Sequence, residues 1–200
     1  MDMVFEALWC HAAERPQTVA FSGDGDSLTW ADLAAEVTAL AARLDGAPRT
    51  VGIALPGGCA YVVADLALTL TGRRQVPLPF FFAPEQIAHV IKDAGIGALI
   101  TAPETAGQSA LPEIPLSLGH SGAGARHNQT STAAQAERII YTSGSSGRPK
   151  GVVIGSSQLQ ASLNLLLPVV APTHTDRHLS ILPLAQLLEQ ICGIFLPILV

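Results

Sequence analysis

The sequence predicts an α/β protein, a doubly wound and mainly parallel sheet flanked by helices, followed by the start of a second α/β subdomain. Three observations lead there. Short apolar runs at 51–55, 76–78 and 98–101 alternate with helical patterns at 61–71 and 84–94, and the connections are brief. Strand, helix, strand, helix, strand in that order implies parallel strands with right-handed crossovers. With 48% hydrophobic residues in a chain of 200, there is ample material for a core. Finally, hydrophobic periodicity fades across 103–135, and the chain is read as a first α/β subdomain (1–102), a flexible connection (103–137) and the truncated start of a second subdomain (138–200).

Each element has its own signal. Phe5, Leu8, Trp9 and Ala12 recur at helical spacing before Pro16, so 3–14 is expected to be an amphipathic helix, with Trp9 and His11 as packing and surface residues. A short strand at 19–21 runs into the turn at 23–26. Thr29 with Asp32 has the spacing of a capping box, opening a helix whose inner stripe is Leu33, Val37, Leu40 and Leu44, with Trp30 as a core residue at its start. After the strand at 51–55, Pro56-Gly57-Gly58 turns the chain, and Gly72 stops the helix that follows. Pro84 suits a first helical turn, and Ile87, Val90, Ile91 and Ala94 carry that helix to Gly95. Phe80, Phe81 and Phe82 follow the carboxyl end of the strand at 76–78, where open α/β sheets bind ligands; packing between layers is the favoured reading for them. Beyond the connection, 152–154 is expected as a return strand, 157–167 as a helix ending at Pro168, and 178–182 as a strand ending at Pro183.

Composition excludes several classes. With 11 basic against 16 acidic residues, the net charge of −5 leaves no basic footprint for nucleic acid. Cys10, Cys59 and Cys192 are widely spaced and odd in number, which favours reduced, buried thiols over a disulfide or zinc framework. The acidic start lacks a secretory apolar core, so the cytoplasm is the expected compartment. The apolar stretch at 179–200 carries Gln186, Glu189, Gln190 and two prolines. A membrane span needs about 20 apolar residues, so a buried element cut off partway is expected there and no integral membrane association. His120 and His127 read as solvated, Glu189 as an exposed or a site residue, and residues 173–176 as a turn and not half of a metal site; no metal-ligating set is expected.

The chemistry concentrates in residues 141–151, Tyr-Thr-Ser-Gly-Ser-Ser-Gly-Arg-Pro-Lys-Gly. Glycines let several backbone N–H groups converge, hydroxyls add donors, and Arg148 or Lys150 can neutralise charge, so the stretch is suited to a polyphosphate. Lys150 is followed by glycine and then by a strand pattern, which excludes the Walker P-loop.

Together with Val152, these residues resemble the phosphate-loop signature of the adenylate-forming enzymes, which include acyl-CoA synthetases, peptide synthetase adenylation domains and luciferases. Residues 69–79 look like a divergent form of that superfamily's second signature. The resemblance implies that a carboxylate attacks ATP in the presence of Mg2+ to give an acyl-adenylate and pyrophosphate. Coenzyme A or the phosphopantetheine of an acyl carrier protein then takes the acyl group. It assigns phosphate binding to Thr142, Ser143, Gly144, Ser145, Ser146, Gly147, Lys150 and Gly151, with Arg148 the weaker candidate. In the segment Leu182-Pro183-Leu184-Ala185-Gln186, Gln186 stands where the family has a histidine near the carboxylate pocket. Nothing matches the adenine-binding segment, the Mg2+-serving Thr-Glu pair, the ribose-binding aspartate or the catalytic lysine of the family, so no catalytic residue is expected within these residues. The expectation is thus the N-terminal portion of a carboxylate-activating ligase, inactive alone and completed in cis or in trans. The alternative is a non-catalytic or split half-enzyme that binds a partner chain.

Overall fold

The structure is a computed structural model that describes residues 1–23, 25–119, 132–142 and 148–200. Helix α1 (Asp2–Glu14) leads into a hairpin of β1 (Val19–Gly23) and β2 (Asp26–Thr29), which forms a small antiparallel sheet of its own. Strand β2 was not anticipated, because its sequence, Asp-Ser-Leu-Thr, buries a single side chain. Thr29 then closes the expected capping box on α2 (Trp30–Arg43), its hydroxyl accepting from the Asp32 N–H while the Asp32 carboxylate accepts from the Thr29 N–H.

The main sheet is built from β3 (Thr50–Ala54), β4 (Arg74–Pro77), β5 (Ala98–Thr101), β6 (Glu113–Pro115), β7 (Glu137–Thr142) and β8 (Lys150–Gly155), in the order β6-β5-β3-β4-β7-β8. Every neighbouring pair is parallel except β7–β8. Helix α3 (Gly58–Leu70) crosses from β3 to β4, and α4 (Pro84–Ala94) crosses from β4 to β5. The two helices lie on opposite faces, each over its own apolar cluster, as a doubly wound sheet requires. Pro84 occupies the first turn of α4, and Gly95 caps its end in the left-handed region (φ 62°). Strand β6 corrects the reading of 103–137 as connection alone: its three residues pair with β5 but are too few to register as a pattern.

Four further expectations change. Helix α5 (Ser156–Val170) runs past Pro168, because a missing N–H so close to the end costs one backbone bond, and the helix stops at Ala171 (φ 45°). Residues 178–182 form no strand. Leu179 and Ile181 are each 78% exposed, and the carboxylate of Glu189 takes the Leu182 N–H in place of a neighbouring strand. Phe80 and Phe81 are exposed, and only Phe82 packs between layers, against the cluster under α4. Cys10 is exposed on α1, whereas Cys59 is buried as expected.

The apolar stretch after Pro183 folds inward as a helix. Its segments are α6 (Leu187–Gln190), a wider π-type turn (Ile191–Phe195) and α7 (Leu196–Ile198). Ile194, Phe195 and Ile198 are fully buried with α1 and α3. Among the described residues no helix is long and apolar enough to cross a membrane.

Candidate functional site

Strands β7 and β8 position the glycine- and serine-rich segment. Their antiparallel register runs from Glu137↔Gly155 to Tyr141↔Gly151 and Thr142↔Lys150, so Thr142 and Lys150 face each other at the open end of the ladder. Both are exposed, and between them the chain runs through residues 143–149. The predicted contacts Ser143, Gly144, Ser145, Ser146 and Gly147 lie outside the described residues, as do His120 and His127. The structure therefore brings Thr142, Lys150 and Gly151 together at the mouth of one hairpin, with a hydroxyl donor and a cation on facing strands.

This mouth opens at the carboxyl ends of β4 and β7, beside a groove of about 510 Å³. Phe81 and Phe82 from the loop after β4 form one wall, Tyr141 and Thr142 contribute the end of β7, and Gln186 and Leu187 close the other side. Gln186 is thus on the groove, at the N-terminus of α6, and its side chain does not cap that helix.

Three comparisons identify the relatives of this arrangement. The family model described as "AMP-binding enzyme" matches residues 8–200. The chain belongs to the AMP-binding enzyme family. A hybrid PKS-NRPS synthetase, pynA, of Aspergillus niger is 32% identical over 189 residues, covering 84% of this chain and 5% of that protein. An isonitrile lipopeptide synthase of Streptomyces coeruleorubidus is 34% identical over 160 residues, 74% of this chain and 11% of that protein. Among solved structures, a malonyl-CoA ligase with methylmalonyl-CoA and AMP bound is 28% identical, with a TM-score of 0.79 over 98% of this chain and 42% of that one. VinN is 23% identical with a TM-score of 0.82 over 98% of this chain and 56% of that one, a likeness of fold. The chain spans only a part of each.

Within this AMP-binding chain a buried polar cluster supports the site from below. Arg138, 3% exposed, meets Asp65, fully buried, at 3.2 Å. The same guanidinium donates to Gln190 Oε1 at 2.5 Å and lies 4.9 Å from the centre of the Phe195 ring. Gln190 in turn donates to the Leu184 carbonyl at 2.9 Å and to the Tyr61 hydroxyl at 3.2 Å. Burial, then the neighbouring Asp65, pushes the Tyr61 phenol well above its usual range. A single cluster therefore joins β7, which leads to the hairpin mouth, with the segment that carries Gln186. Sequence reasoning missed it; an arginine within an apolar run was the available signal. Of the two readings of Glu189, the exposed one does not hold: it is buried, with its carboxylate 3.2 Å from His178 and 3.4 Å from the Leu182 N–H.

Proposed function

We propose that residues 141–151 hold the β- and γ-phosphates of ATP while a carboxylic acid in the adjoining groove attacks the α-phosphorus, giving an acyl-adenylate and pyrophosphate. The observation that carries this reading is the placement of Thr142 opposite Lys150 at a hairpin mouth that opens onto a groove at the carboxyl end of the sheet. A hydroxyl and an ammonium at this point suit an anion that gains charge as it leaves, since donors fixed in advance need no reorganisation. The donors would be Thr142, Ser143, Ser145, Ser146 and Lys150, with Gly144, Gly147 and Gly151 permitting close approach. Mg2+ would accompany ATP at its phosphates. Gln186 would face the acid and can donate a hydrogen bond through its amide. Coenzyme A or a carrier-protein phosphopantetheine would accept the acyl group. These residues would form the N-terminal portion of the enzyme, with β7 and β8 continuing the sheet of its first half.

The test is ATP–pyrophosphate exchange in the intact enzyme. Lys150→Ala is expected to lower exchange on the order of a hundredfold, and Ser145→Ala by about tenfold or more. Unchanged exchange in both removes the loop from the mechanism. The polypeptide of residues 1–200 is expected not to form adenylate, and robust turnover by it would contradict the assignment of catalysis to a completed enzyme.

A second reading is a binding module or split half-enzyme. It is favoured by apolar side chains left in solvent on β8 (Val152, Val153) and at Leu179 and Ile181. Binding of ATP without exchange in the intact protein would select it.

A further inference from the structure

One face of α4 grips the hairpin at both of its ends. His89 and Asp93 are one helical turn apart and so share that face. Asp93 Oδ2 accepts from the Tyr141 hydroxyl at 2.6 Å, next to the last residue of β7. The His89 Nε2 donates to the Pro149 carbonyl at 3.1 Å, immediately before β8 begins. Gly151, opposite Tyr141 in the ladder, explains how the ring reaches α4. A Cβ at residue 151 would meet Tyr141 Cζ at 2.9 Å and Ile139 Cγ2 at 2.7 Å, so the tyrosine ring lies where any other residue would place its side chain. Pro149 is buried in this contact, while Arg148 is exposed beside it, over the groove along α4 that also contains His89 and Lys92.

We propose that His89, Asp93 and Tyr141, with Gly151 leaving the space, form a clamp that fixes where the chain enters and leaves the phosphate hairpin. His89, Asp93 and the Tyr141 hydroxyl act by positioning: none of the three is among the donors proposed for the anion. The inference rests on the polyphosphate reading for what the hairpin holds, and on the described contacts alone for the clamp. Its physical logic is that Thr142 and Lys150 can act on one ligand only if their separation is set beforehand. Two bonds from one rigid helix set it without lengthening the ladder. The Tyr141–Asp93 bond is charge-assisted and half-buried, which makes it the stronger anchor.

The experiment uses the intact protein with Tyr141→Phe, Asp93→Ala, Asp93→Asn, His89→Ala and the Tyr141→Phe/Asp93→Ala double variant. Hydrogen–deuterium exchange reads the amides at 141–142 and 150–151 against those at 138 and 154–155 at the far end of the same ladder. Inorganic tripolyphosphate titration reads affinity. Tyr141→Phe and Asp93→Ala are expected to speed exchange at the near end by about tenfold with the far end unchanged. The double variant should be no worse than either single change, as one shared bond requires. Asp93→Asn, which keeps an acceptor, should restore most of the protection. Affinity should fall by roughly three- to tenfold in parallel. Uniform acceleration along the ladder, or none, overturns the clamp whatever the titration shows. Local acceleration with unaltered affinity reduces the contacts to support of the sheet and overturns the positioning role. If the unaltered chain binds no tripolyphosphate while the exchange pattern is as expected, the polyphosphate reading falls and the clamp alone stands.

Discussion

Arg138 shows how one side chain can join distant parts of the chain. Its guanidinium has Asp65 on α3, Gln190 on α6 and Thr69 within hydrogen-bond reach, and no water-facing surface to speak of. The Gln75 amide fits the same cluster with its nitrogen 3.1 Å from Asp65 Oδ2 and its oxygen 3.0 Å from the Arg138 guanidinium. Taking two charges out of water is costly, so the pair is weak evidence for stability as such, but removing one partner leaves the other buried alone. Arg138→Ala is accordingly expected to destabilise the fold by about 3–5 kcal/mol, read from denaturant midpoints. Arg138→Met combined with Asp65→Leu should recover most of that loss, and a double variant as unstable as the single one would contradict the account. Tyr141 and Tyr61 make the same point in a smaller way. Burial raises both phenols, and Asp93 adds to the effect on Tyr141 and Asp65 to that on Tyr61.

At the scale of elements, caps and small residues decide the geometry around the site. Thr29→Ala removes the side-chain half of a complete capping box and is expected to cost about 1 kcal/mol, read by thermal or denaturant unfolding. Gly151→Ala would force the Tyr141 ring off its strand and break its bond to Asp93, so it should mimic Tyr141→Phe in local amide exchange. A small residue matters also within the π-type turn of the final helix. A Cβ at Gly193 would come within 2.7 Å of Glu189 Oε1, so the glycine leaves room for that carboxylate to reach back to His178 and the Leu182 N–H. The segment 178–182 is held by these contacts instead of by strand pairing.

For the whole molecule, the central question is how β7 and β8 are fastened to the sheet formed by the first half of the chain. Strand β7 pairs with β4 through Arg74↔Glu137 and Gln75↔Arg138 only. The Glu137 carboxylate accepts from Arg74 at 2.7 Å and from Arg49 at 3.2 Å, and these bonds, Arg74's first, hold its pKa below the usual carboxylate value. A depressed folded pKa contributes stability that is present above the unfolded value of 4.5 and is lost as pH falls through the folded one. Glu137→Gln should therefore lower stability at pH 7 by about 0.5–1 kcal/mol, and the difference from the unaltered chain should vanish with acidification below pH 4.5. A difference that persists once acid has protonated the carboxylate in both states would mean that the glutamate acts by packing and not by charge. At the opposite side, α1 braces the last helix: Arg15 donates to the Val200 carbonyl at 2.6 Å, and the His11 ring nitrogen lies 3.0 Å from the Ile198 carbonyl.

What the sequence determined by itself was local or repetitive. The alternation of apolar runs with 3.6-residue stripes specified α2, α3, α4 and the parallel strands between them, because periodicity and caps act within a few residues. Residues 141–151 pointed, through their resemblance, to the family that the match over residues 8–200 establishes. Tertiary structure alone decided the rest. Strands of three or four residues such as β2 and β6 exist because a neighbour pairs with them, and 178–182 has the pattern of a strand without such a neighbour. The Arg138 cluster and the grip of His89 and Asp93 on the hairpin join residues 52 and 48 or more positions apart, and no local pattern records a partner at that distance. Hydrogen bonds of this kind are selected by which surfaces the packed core brings together, and that is settled only when the layers close.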